Sequence, residues 1–114
     1  MNDFILHGRA GWGSAIVEAQ LAFCALPYRL VEAGDLFDSA AAREQLQPLN
    51  PLAQVPTLVL PDGTVMTESA AMTLHLADLT QGDALVPGAR NRERAAFLRW
   101  LVFLVANIYP TFTY

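Results

Sequence analysis

A chain of 114 residues, 54% hydrophobic and 16% charged, carries enough apolar material for one compact core, which excludes intrinsic disorder. A net charge of −4 excludes a nucleic-acid surface, which needs clustered cations. The single cysteine, Cys24, excludes an internal disulfide framework and a CxxC redox pair.

In chain order, "FILH" (4–7) is a short apolar run ended by glycine, the pattern of a buried strand. The loop "GRAGWG" follows, and Ser14 is placed to cap a helix from about Ala15 to Ala25, in which only Glu18 and Gln20 are strongly polar, so burial over much of its circumference is expected. Pro27 closes that helix, and "YRLVEA" (28–33) reads as a second strand. Two strands joined through a helix pair in parallel with a right-handed crossover. Asp38 or Ser39 starts a helix through "AAAREQLQ", after which Pro48 and Pro51 frame an extended segment, because a residue before proline avoids helical backbone.

"TLVL" (57–60), the turn "PDG" and "TVMT" (64–67) make an antiparallel hairpin. A helix from Glu68 to about Leu79 has Met72, Leu76 and Leu79 on one side and Ala70, Leu74 and Ala77 on another, which predicts contacts with two partners. Residues 81–91 read as a linker. A final helix from Arg92 to roughly Asn107 is apolar apart from Arg99 and is stopped by Pro110. It shows Phe97, Trp100, Leu101, Leu104 and Val105 with no later element to cover them, so a further segment or a second copy is expected against it.

The order β-α-β, α, β-β-α gives an α/β fold with a four-stranded mixed sheet. With "NPLAQVPTLVL" (50–60), the "PDG" hairpin and "ESAA" (68–71), it resembles the thioredoxin-like N-terminal domain of the glutathione S-transferases. The resemblance covers essentially the whole chain. It implies a thioredoxin-like glutathione-binding domain over 1–80, a linker over 81–91, and over 92–114 the first helix of an all-helical C-terminal domain, truncated here.

The residues give that resemblance a physical basis. In an X-Pro bond the trans preference falls to about 0.5–1 kcal/mol, so a fold can hold Val55–Pro56 cis. The Val55 N–H and C=O then face an extended peptide, in a one-residue form of strand addition. Ser69 offers a hydroxyl and an N–H at a helix start to a carboxylate, and Glu68 offers charge to an ammonium group. The resemblance implies Val55 on the cysteinyl unit of glutathione, Glu68 and Ser69 on its γ-glutamyl end, and Gln54 near its main chain. Taken singly, Pro56 could equally end a loop, and Ser69 or Thr67 could merely cap a helix.

The family's chemistry needs glutathione as thiolate, activated by a tyrosine, serine or cysteine near the first strand or first helix. Those positions fall close to Leu6, to Gly11 or Trp12, and to Gly13, so the chain departs from each pattern. Ser14 is the catalytic candidate, through a hydroxyl or N–H at a helix start; an ordinary cap is its alternative role. Arg9 can lend positive charge and Trp12 can wall the pocket, or each can simply pack or solvate the loop. Cys24 lies well past that loop and reads as an inert core thiol. His7 and His75 have no partner at metal-ligand spacing, so no metal is expected.

The expected function is a glutathione transferase acting on a small electrophilic co-substrate, as a homodimer using the two-sided helix at 68–79. The alternative is a non-catalytic relative working through protein contacts; a glutaredoxin-type enzyme lacks its cysteine in residues 8–14. All seven cations are arginine, which fits a GC-rich bacterial genome. No signal peptide is read at the N-terminus, and the most apolar tract falls short of the ~20 residues of a membrane span. A soluble cytoplasmic protein is expected, without membrane or nucleic-acid partners.

Overall fold

The computed structural model describes residues 3–80 and 82–112. Gln81, which opens the expected linker, and the last two residues of the expected final segment lie outside them.

Strand β1 (Phe4–Gly8) pairs in parallel with β2 (Tyr28–Glu32), from Phe4↔Tyr28 to Gly8↔Glu32, and helix α1 (Ser14–Phe23) joins the two. On the other side of β1 lies β3 (Thr57–Val59), antiparallel, and beyond it β4 (Val65–Met66), also antiparallel. The sheet order is therefore β2-β1-β3-β4, the expected four-stranded mixed sheet. Helix α2 (Ala40–Leu46) precedes β3, and α3 (Ser69–Asp78) follows β4.

Alternation along β1 decides the layering. Phe4, Leu6 and Gly8 are buried while Ile5 and His7 are half-buried, so one face carries the core. Against it α1 sets Val17 and Leu21, and α3 sets Met72 and Leu76, each pair four residues apart on one helix face. Leu58 of β3 completes the cluster. The two helices also meet through a polar contact, Thr73 Oγ1 donating to Gln20 Oε1 at 3.0 Å.

Several boundaries and faces differ from the sequence reading. Helix α1 is buried only at Ser14, Val17 and Leu21, leaving Phe23 63% exposed, because among the described residues it has the sheet and α3 on one side only. Leu79, expected beside Met72 and Leu76, is exposed past the end of α3. Ser39 does cap its helix, accepting from the Ala42 N–H at 3.1 Å.

The expected linker is an anchored loop. Val86 is buried, Leu85 packs on the core, and Arg94 Nη1 donates to the Pro87 carbonyl at 2.9 Å. Asn91 Nδ2 donates to Asp83 Oδ2 at 2.9 Å. A Cβ at Gly88 would stand 2.6 Å from Asp83 Oδ1, so a side chain there would push the Asp83 carboxylate from its bond with Asn91.

The final helix starts two residues later than expected and changes its winding along its length. It runs as α4 (Arg94–Phe103), then as π-helix over Leu104–Ile108 and as 3-10 helix over Tyr109–Phe112. Pro110 brings no N–H to an α-helical ladder, and Asn107 Nδ2 donates to the Phe103 carbonyl at 3.3 Å within the altered turns. No α4 residue is buried, and Trp100, Val102 and Phe103 stand exposed. Among the described residues, no helix is long and apolar enough to cross a membrane.

Candidate functional site at one end of the sheet

The registers bring the separate motifs together. His7 pairs with Thr57, and Leu58 with Met66, both antiparallel. Continuing these alignments past the strand ends sets Gly8 and Arg9 against Pro56 and Val55 on one side, and Glu68 and Ser69 against them on the other. Both α1 and α3 start at this end of the sheet, so their positive dipole ends lie there together.

The Val55–Pro56 peptide is cis. Just before it, the Gln54 carbonyl accepts from Thr57 Oγ1 at 2.8 Å and from Asn50 Nδ2 at 3.1 Å. Asn50 and Thr57 are buried and also bond each other, at 3.2 Å, which fixes the backbone leading into Val55. Neither the N–H nor the C=O of half-buried Val55 makes a hydrogen bond among the described residues. Sequence reasoning missed Asn50, because the segment around Pro48 and Pro51, expected to be extended, is instead a run of turns. There the Asn50 N–H donates to the Leu46 carbonyl and the Ala53 N–H to the Asn50 carbonyl.

Across the hairpin, Glu68 holds a positive φ of 72° with ψ 107° and stands as the residue capping α3. The Glu68 carboxylate and the Ser69 hydroxyl make no hydrogen bond among the described residues. The Ser69 carbonyl lies 3.1 Å from Thr73 Oγ1 and shares that hydroxyl's single proton with Gln20 Oε1. Gln54 is exposed at the same end.

The loop between β1 and α1 carries a correction. Ser14 does not cap α1 with its side chain; Gly13 occupies the cap position without a side-chain bond, and Ser14 is the first helical residue. The buried Ser14 hydroxyl turns backward, accepting from the Arg9 N–H at 2.9 Å and donating to the Arg9 carbonyl at 3.2 Å. Its one proton is thereby engaged. What remains free at this helix start is backbone: the N–H groups of Gly13 and Ser14 make no hydrogen bond among the described residues.

Arg9 and Trp12 belong to one cluster. Arg9 Nη1 lies 3.8 Å from Glu32 Oε2, and its guanidinium carbon sits 5.5 Å from the centre of the Trp12 ring. The far partner of Trp12 is Phe37, stacked at 5.0 Å with 30° between ring planes. Glu32, Phe37 and Gly8 were not foreseen. Only Phe37 left a trace in the sequence, as a large apolar residue inside a polar loop.

Two concavities lie elsewhere. One, of about 540 Å³, is bordered by Asp3, Ile5, Arg29, Val59 and Asp62 at the opposite end of the sheet. The other, of about 290 Å³, lies between His7, Val31 and α2. Neither is lined by a residue expected to bind ligand. Burial, helped by the charge of Arg29, pushes the His7 imidazole below its ordinary range. Cys24, half-buried at the end of α1, has its thiol pushed up by burial, which keeps it protonated.

Comparison with known proteins agrees with this architecture. Residues 14–79 match the family described as the glutathione S-transferase N-terminal domain. The chain is 45% identical over 109 residues to an uncharacterised GST-like protein, YncG, of Escherichia coli (strain K12), covering 96% of this chain and 52% of that protein. Among solved structures, a glutathione transferase from Methylococcus capsulatus superposes with a TM-score of 0.80 at 32% identity, covering 96% of this chain and 54% of that one. A glutathione transferase homologue from Sulfitobacter, solved with bound glutathione, gives 0.78 at 28% identity, covering 94% and 50%. The chain thus spans about half the length of the relatives it matches. A sheet of order β2-β1-β3-β4, with α1 and α3 on its core face, and a family match running from the start of α1 to the end of α3 make this chain a member of the glutathione S-transferase family.

Proposed function

We propose that the chain binds glutathione along the Val55–Ser69 end of the sheet and draws its thiol toward thiolate for attack on a small electrophilic co-substrate. The observation that carries this reading is a set of unengaged polar groups: the Val55 backbone, the Glu68 carboxylate and the Ser69 hydroxyl. Glutathione supplies the complement to each. Its cysteinyl unit offers an N–H and a C=O to Val55, and its γ-glutamyl end offers an ammonium to Glu68 and a carboxylate to Ser69. Bound glutathione in the Sulfitobacter relative supports the choice of ligand. Pairing along a backbone needs an exposed segment more than an enclosed cavity, so the two concavities elsewhere do not compete with this site.

In this reading the thiolate is held by the N–H groups of Gly13 and Ser14 at the start of α1, with Arg9 adding positive charge nearby. The Ser14 hydroxyl shapes the loop that presents them. Residues 1–80 form the glutathione-binding domain, 81–91 the linker and 92–114 the first helix of an all-helical domain completing the electrophile pocket. The exposed apolar side chains of α4 support that division. A cytoplasmic homodimer, using the half-buried second side of α3, completes the proposal; no metal takes part.

One observation favours a second reading, a non-catalytic relative acting through protein contacts. The candidate hydroxyl is fully engaged with Arg9, and the position close to Leu6 offers no phenol. Calorimetric titration with glutathione tests the binding both readings need at Val55, Glu68 and Ser69. The wild-type chain is expected to bind, and Ser69→Ala to weaken binding by roughly tenfold or more, the loss of a hydrogen bond to a charged group. Equal affinity in the variant would remove Ser69 from the site, and no heat of binding in the wild type would end the proposal.

A further inference from the structure

The loop between β2 and α2, residues 33–39, is built more firmly than a surface connection requires. Gly34, at φ +81°, makes a turn that L side chains rarely adopt, and its N–H donates to Glu32 Oε2 at 2.8 Å. Asp35 Oδ1 accepts from the N–H groups of Phe37 and Asp38 at 3.0 and 3.1 Å, an Asx-type turn. Leu36 points into the protein and is buried. From α2, the guanidinium of Arg43 reaches back, Nη1 donating to the carbonyls of Leu36 at 2.9 Å and Phe37 at 3.0 Å.

These ties leave Phe37 pointing outward, 63% exposed, with its ring stacked on Trp12. An exposed phenylalanine gains little for the core. What its ring contacts is the loop between β1 and α1, and the linkage continues inward from there. Trp12 sits under the Arg9 guanidinium, the Arg9 carbonyl accepts from the Trp12 N–H at 3.1 Å, and the Arg9 backbone is clasped by Ser14. Glu32 joins the two loops a second time, through Arg9 Nη1 and the Gly34 N–H.

We propose that Phe37 and Arg43 are positioning residues, which brace Trp12 and thereby hold the Arg9–Ser14 loop in the conformation that serves the glutathione thiol. Neither residue needs to touch the ligand. Arg43 fixes the carbonyls of the two peptide groups that flank Phe37, the ring of Phe37 fixes Trp12, and Trp12 with Glu32 fixes where Arg9 places its charge. The inference rests on the proposed glutathione site and adds to it two residues outside it, Phe37 of the β2–α2 loop and Arg43 of α2.

The test uses the full chain with Trp100→Phe, so that Trp12 is the sole tryptophan, and adds Phe37→Ala, Phe37→Tyr or Arg43→Gln. Two properties are read: the near-ultraviolet circular dichroism and quencher accessibility of Trp12, and the pKa of the bound glutathione thiol from thiolate absorbance. Phe37→Ala is expected to weaken the Trp12 dichroism, expose it to quencher, and raise the bound thiol pKa by about one unit, a tenfold loss in the thiolate-to-thiol ratio. Arg43→Gln should move both readouts the same way by less. Phe37→Tyr, which keeps the stacked ring, should restore both, separating loss of stacking from loss of fold. A bound thiol pKa unchanged in Phe37→Ala overturns the inference while leaving the glutathione site intact. A parent chain that binds no glutathione overturns the site, and this role with it.

Discussion

Gly8→Ala is expected to cost about 1–3 kcal/mol of stability and to remove most glutathione binding, although it adds one methyl group. Gly8 is the buried last residue of β1, directly beneath the first turn of α1. A Cβ there would stand 2.5 Å from Ser14 Oγ and 2.7 Å from Ser14 Cβ, closer than real side chains approach. Ser14 cannot swing aside, because it is buried and its hydroxyl bonds both polar groups of the Arg9 backbone. The start of α1 must therefore move, carrying with it the Gly13 and Ser14 N–H groups. Chemical denaturation and glutathione titration of the variant check the two parts. Wild-type stability with wild-type affinity would show that the loop and helix start are not coupled through this contact.

The second large effect has opposite signs in its two readouts. Glu68 sits at φ 72° and ψ 107°, a backbone conformation that costs a non-glycine residue about 1–3 kcal/mol. Glycine, lacking Cβ, adopts it with less strain, while losing roughly 0.5–1 kcal/mol more chain entropy on folding. Glu68→Gly should therefore gain about 1 kcal/mol of stability from these opposing effects. The same change deletes the carboxylate proposed to meet the ligand ammonium, a charged hydrogen bond worth about 1.5–3 kcal/mol, so affinity should fall by roughly tenfold to a hundredfold. A variant that is more stable yet binds poorly marks a residue kept for its ligand. If stability and affinity fall together, Glu68 serves the fold.

The parts legible in the sequence were those set by local pattern. "FILH", "TLVL" and the "PDG" turn state their strands through alternation and turn chemistry, and Ser39 states its cap. The proline and the Glu-Ser pair could be placed at one sheet end because strand register follows from the hairpin. What escaped depends on contacts distant in sequence. A serine at a helix start can bond forward to the helix or backward to the loop, and the close seat of Ser14 over Gly8 fits the backward choice. The Trp12–Phe37 stack joins two loops that sequence spacing does not relate. In the expected linker, glycines and turn formers hid a buried Val86, since one apolar residue has no periodicity to reveal it. The change of winding in the final helix left no trace because apolar composition continues unbroken through Leu104–Ile108.

The most direct examination of the proposed site is a crystal structure of the chain grown with glutathione. The account predicts the cysteinyl unit paired with both backbone groups of Val55 and the γ-glutamyl end held by Glu68 and Ser69. Glutathione seated instead in the concavity between Arg29 and Asp62, or with the Val55 backbone left unpaired, would contradict it.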